Sequence, residues 1–167
     1  MIMKKIVLYT ALLAIPIVYS CNQNTETKNA KADAEAKMDS LATKACFVAK
    51  DEGDNADLQL RLLSNGKVKG NLVITYAEKA NNDGQIEGEF KGDTLFVDYT
   101  FKAGESDPAV YKNPLAFLKQ GDKMILGVGQ IETSMGRSYF VKEKPIRFDQ
   151  SKFIFTSVAC AGEEPAP

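Results

Sequence analysis

Histidine and tryptophan are both missing from these 167 residues. Without an imidazole the chain lacks the side chain that titrates near neutral pH and the commonest metal ligand. Ser-His-Asp and Cys-His catalysis and His-bearing zinc sites are therefore excluded within a single chain, and no cofactor or metal is expected. Without an indole, a strong sugar-stacking platform is not expected, though tyrosine can serve. No basic patch with interleaved aromatics occurs, which argues against a nucleic-acid partner. Long apolar runs are also lacking. The longest, Ile6 to Tyr19, contains Pro16 and falls short of the roughly 20 residues a spanning helix needs.

What that run does have is the right surroundings. Lys4 and Lys5 precede it and Val18-Tyr19-Ser20-Cys21 follows. A charged start, an apolar middle and a small residue at the cut are the parts of a secretory signal. A cysteine directly after the cut resembles a lipobox. Residues 1–20 are thus expected to be a lipoprotein signal peptide, with Cys21 lipidated and carried on a membrane by acyl chains such as palmitate. About 0.8 kcal/mol per buried CH₂ makes a multi-chain anchor effectively permanent. An ordinary cleaved signal and an uncleaved anchor are the alternatives. Asn22 in place of Asp after the lipidated cysteine points, by the sorting rule of enteric bacteria, to the outer membrane.

Cleavage would remove two lysines and leave 147 residues, with 19 basic against 22 acidic and a net charge of −3. That length suffices for one domain with a real core. Residues 21–45 are polar, with many alanines, and read as a tether, disordered or partly helical. Residues 161–167 read as a disordered tail. Cys46 and Cys160 lie at the two ends of the region between. In an exported protein such a pair reads as a disulfide, against the alternative of two separate buried thiols. It would close a loop of 115 residues, contributing about 4–5 kcal/mol in the chain-entropy model.

Between those cysteines the apolar period is two. Leu58, Leu60 and Leu62 alternate with polar residues, then Asn65-Gly66 gives a type I′ hairpin signal. Val68 to Tyr76 continues the pattern; Asn82-Asp83-Gly84 reads as a second turn, leading into Ile86, Gly88 and Phe90. Lys91-Gly92-Asp93 turns into Leu95, Val97, Tyr99 and Phe101. Leu115 to Leu118, Met124 to Ile131, Ser138 to Lys142 and Phe153 to Cys160 complete the candidate strands. Short connections imply an antiparallel up-and-down meander. Gly70 and Gly88 each follow a turn glycine by four residues, with Gly127 and Gly129 in a comparable place, and strand glycines at one height let a sheet curl. The expected fold for residues 46–160 is all-β: a small, lipocalin-like barrel of about eight strands, its two margins joined by the cysteine pair. A flat sheet backed by a helix over 29–45 is the alternative.

The stretch Ile86-Glu87-Gly88-Glu89-Phe90-Lys91-Gly92-Asp93-Thr94-Leu95-Phe96-Val97-Asp98-Tyr99-Thr100-Phe101 resembles small lipoproteins of Bacteroidetes-type bacteria. Leu115 to Asp122, Gly127-Val128-Gly129 and the bracketing cysteines resemble them too. The resemblance implies a lipid-anchored, disulfide-closed all-β domain and brings no activity with it.

Candidate functional residues are few. Asp51, Glu52, Asp54 and Asp57 fall at steps that do not fit a calcium loop and read as a solvated acidic loop. Glu87 and Glu89 share a face but lack the cleft that paired-carboxylate hydrolysis requires. Tyr76, Phe90, Tyr99, Phe101 and Phe117 point inward, either filling the barrel or lining a mouth, where Tyr76, Tyr99, Phe101 and Phe117 would bind ligand. The expectation is a non-enzymatic envelope protein that binds a small hydrophobic ligand. The alternative is a structural or protein-interaction module, scaffold or inhibitor, with 103–113 as its contact loop.

Overall fold

The computed structural model describes residues 42–106 and 108–161. The expected signal peptide, Cys21, the expected tether up to residue 41 and the expected tail from residue 162 lie outside the described residues. Ten strands follow in order: β1 (Thr43–Asp51), β2 (Asp54–Leu62), β3 (Lys67–Thr75), β4 (Asn82–Lys91), β5 (Thr94–Ala103), β6 (Tyr111–Gln120), β7 (Lys123–Leu126), β8 (Ile131–Ser134), β9 (Arg137–Phe140) and β10 (Ile154–Val158). Eight close an antiparallel barrel in the order β1-β10-β7-β6-β5-β4-β3-β2, and β8 and β9 form a separate hairpin. The all-β meander and its closure are therefore as the alternation and the cysteines imply, and the flat sheet is set aside.

The interior is filled by the period-two residues. Leu58, Leu60, Val68, Leu72, Ile86, Leu95, Val97, Tyr99, Phe117, Met124, Phe153 and Phe155 form one buried cluster, with Phe47, Tyr76, Phe90, Phe101 and Leu115 packed against it. Phe117 and Phe155 meet edge to face at 5.8 Å between centroids, an arrangement aromatic quadrupoles favour.

Sharp curvature comes from glycines on the inner face. A Cβ at Gly88 would lie 1.9 Å from the Phe96 carbonyl oxygen, and one at Gly70 would lie 2.0 Å from that of Gln59. Neighbouring backbones occupy the space a side chain would need, so β3 and β4 fold tightly there. The two glycines are diagonal rather than level, since Gly88 pairs with Val68 and Gly70 with Ile86.

Several local expectations are corrected. Residues 43–51 form β1, whereas the tether was expected to run to residue 45 and the first clear strand to start after the acidic cluster. Asn65-Gly66 is not a two-residue type I′ turn. Of the two, only Gly66 has positive φ, and its N–H donates to Leu63 O at 3.0 Å, closing a longer loop with a glycine bulge. Asn82-Asp83-Gly84 lies inside β4; the loop is 76–81, held by Tyr76 N–H donating to Asn81 Oδ1 at 3.2 Å. Instead of running to Ile131, β7 stops at Leu126. Gly127 and Gly129 make room for Ile146 and Phe140, whose carbons would lie 2.4 and 2.6 Å from a Cβ at those positions.

The segment 138–142 supplies β9, outside the barrel, where it packs against β6. Ala116, on the outward face of β6, is fully buried. Pro114 sits within β6 because β7 pairs only with Phe117 to Gln120, so the missing N–H of proline breaks no ladder on that side.

Cys46 in β1 and Cys160 just past β10 form the disulfide, with Cα atoms 5.2 Å apart. Cys46 opposes Gln59 on the outer face, so the bond spans the β1–β10 seam from outside.

Candidate functional site

Strand direction sorts the connections into two rims. The chain enters β1 at the rim that also holds the β2–β3, β4–β5 and β6–β7 connections and the disulfide. The opposite, distal rim carries the β1–β2 turn, loop 76–81, loop 104–110 and the long β7–β10 connection. Tight turns at one end and long loops at the other are the usual division between a scaffold and a binding surface.

At the distal rim an aromatic ladder climbs out of the core. The Tyr99 ring, 2% exposed, stacks on Phe101 at 4.6 Å with 14° between planes. Phe101 in turn stacks on Tyr111 at 5.5 Å, and Tyr111 is 42% exposed. The ladder follows from register: Phe101 and Tyr111 are cross-strand partners of β5 and β6, and Tyr99 is two residues back on the same face. The Tyr99 hydroxyl donates to the Leu72 carbonyl at 2.9 Å, which fixes the foot of the ladder to β3. Burial holds the Tyr99 phenol well above its ordinary value, since the phenolate would lose water without gaining a partner.

Beside the ladder, Tyr76 is half-buried at the end of β3, with the Lys79 ammonium 3.8 Å above its ring. Burial, with the Asp54 carboxylate near, pushes the Tyr76 phenol up. Glu52, Asp54, Tyr76, Lys79 and Lys152 border an open cleft of about 460 Å³. Its wall is pinned by Asp54, which accepts from Lys152 Nζ at 2.7 Å and from the Ala77 N–H at 2.9 Å. The hydrogen bond from Lys152, then that from Ala77, hold the Asp54 carboxyl below the usual carboxylate range. The same pairing raises the Lys152 ammonium.

The four aromatics expected to bind ligand are thus divided. Tyr76 and Phe101 reach the rim, while Tyr99 and Phe117 are core members, Phe117 with 0% exposure. The acidic cluster is also divided, since Asp54 is paired and only 12% exposed in its side chain. Among the described residues no group of histidine, cysteine, aspartate or glutamate is arranged to hold a metal ion. Sequence reasoning missed Lys152, which reaches Asp54 across 98 residues and carries no local signal of that role. Glu87 and Glu89 face outward as expected, Glu89 paired with Lys67.

Fold and rim together define an eight-stranded antiparallel barrel with a packed interior and an aromatic, charge-bordered end. Comparison with protein-family models, curated proteins and solved structures gives no match.

Proposed function

We propose that this chain is a lipid-anchored protein of the outer membrane that binds a small ligand with a flat apolar group at the distal rim, without transforming it. The observation that carries the reading is the ring ladder from Tyr99 to Tyr111, a rigid apolar surface that begins in the core and ends in solvent. Aromatics held by packing present contact area at little entropic cost. The filled interior favours a ligand seated on the rim over one enclosed in a lipocalin-like cavity. The signal-like segment, Cys21 and Asn22 support the address, as does the likeness to small lipoproteins.

Equilibrium dialysis tests the rim, using indole as the probe against the full chain in lipid nanodiscs, with empty nanodiscs subtracted. Tyr76→Ala and Tyr111→Ala are each expected to weaken binding about ten-fold, the effect of losing about 1.4 kcal/mol of aromatic contact. Phe96→Ala, on the outer wall, should leave it unchanged. Equal binding by all four proteins would remove the rim from consideration.

Val110, 61% exposed beside Tyr111, favours the second reading, a protein partner docking on the same end. Replacement of 103–113 would then change what the chain captures from envelope extracts, with indole binding left weak throughout.

A further inference from the structure

The outer wall of β2–β5 carries a charge order that sheet stability alone would not select. Arg61, Lys69, Glu87 and Asp98 form one cross-strand row. Arg61 pairs with Lys69, Lys69 with Glu87, and Glu87 with Asp98. The signs along it run plus, plus, minus, minus. Two like-charged pairs directly opposite each other each weaken a sheet, whereas alternating signs strengthen it. The adjoining row shows the ordinary solution, with Lys67 opposite Glu89 and the two joined in a salt bridge.

At the centre of the polarised row the opposite charges do not close on each other. Lys69 and Glu87 face one another in register, yet among the described residues neither has an ion-pair partner within 4 Å. The space over them is a groove of about 460 Å³, bordered by Arg61, Lys69, Gln85, Glu87, Asp98 and Thr100, with backbone at Gly70 and Gly88 below. That volume lies in the range of small-molecule sites, about 300–1,000 Å³. Gln85 and Thr100, cross-strand partners, lie beside the row with exposed side chains. An amide and a hydroxyl can each donate and accept.

We infer that this wall groove binds short linear peptides with both termini free. The terminal carboxylate would lie on the Arg61–Lys69 bank, with Lys69 as its principal partner because Arg61 is engaged elsewhere, and the terminal ammonium on the Glu87–Asp98 bank. Strands stand about 4.8 Å apart, so the midpoints of the banks are about 10 Å apart. A chain advances about 3.3–3.6 Å per residue when extended, so three residues place their end charges at that separation. Gln85 and Thr100 are positioned to meet the peptide amides between. Asp98 is shared with Lys112 at 2.8 Å, which leaves Glu87 as the principal partner of the ammonium. The groove lies on the wall rather than the distal rim, and its assignment does not depend on how the rim is used.

Isothermal titration of the full chain in nanodiscs with trialanine tests the assignment, with N-acetyl-trialanine amide as the uncharged control. Trialanine should bind at one site and weaken as salt rises, while the capped peptide gives no binding heat. Lys69→Glu and Glu87→Lys should each weaken trialanine at least ten-fold, the scale of one charge-assisted hydrogen bond. The double variant K69E/E87K turns the row into alternating signs. It should lose trialanine and melt at a higher temperature than the parent, a combination that a merely structural row would not give. Equal binding of capped and free peptide would overturn the assignment. So would retention of trialanine by the double variant, a melting temperature below the parent's, or no heat from trialanine at millimolar concentration.

Discussion

Asp54 occupies a place where a carboxylate would ordinarily meet water, one residue past the tight turn at Glu52–Gly53, yet two donors and a nearly closed surface surround it. A carboxyl held below its ordinary value of 3.8 contributes stability that is present above that value. The contribution is lost as pH falls through the folded state's lower value. Lys152, raised above 10.5, contributes below 10.5 and loses that contribution as pH rises through its folded value. The pair therefore supports the fold across the neutral range and fails at both extremes. Asp54→Asn should lower the melting temperature at pH 7 and flatten its decline below about pH 4, as followed by circular dichroism. An unchanged acid limb would mean that other carboxylates govern acid unfolding.

Strand by strand, β2 to β5 were legible because each buries one face only and the apolar residues mark that face. β1 was not. Ala45, Phe47 and Ala49 point inward, but small alanines in a lysine-bearing stretch give no contrast against the polar residues before them. The β8–β9 hairpin turns through Met135-Gly136, both at positive φ. Methionine gives no turn signal of the kind asparagine does, so the hairpin was read as part of two barrel strands. The polarised row was invisible for another reason: its members are separated in sequence and join only once the register is known.

β10 is the shortest-held stave, with three paired residues toward β1 and three toward β7. The β4–β5 ladder has ten. The disulfide secures that weak seam. Cys46→Ser, Cys160→Ser and the double variant should each cost the same, up to about 4–5 kcal/mol in denaturant unfolding. In hydrogen exchange the amides of 154–158 should lose protection before those of β4 and β5. Unequal, additive losses would contradict a single bond between these two sulfurs.

At the scale of the molecule, the disulfide lies at the rim where β1 begins and the aromatic ladder opens at the opposite one. Cys21→Ser should move the protein from the membrane pellet to the soluble fraction, with no change in melting temperature because the barrel is untouched. Continued sedimentation with membranes would refute the anchor.

The cross-link also governs how the domain answers a pull. Tension arriving through the N-terminal lead reaches Cys46 three residues after Thr43 and is passed to Cys160, bypassing the barrel between. With the sulfur bridge intact, stretching the domain by its two ends yields almost no extra length. Once the bridge is reduced, the 114 residues of separation it spans become free to pay out about 400 Å of chain at roughly 3.6 Å each. The domain is thus a short link while oxidised, and once reduced its length under load is set by whether the strand ladders of the barrel hold.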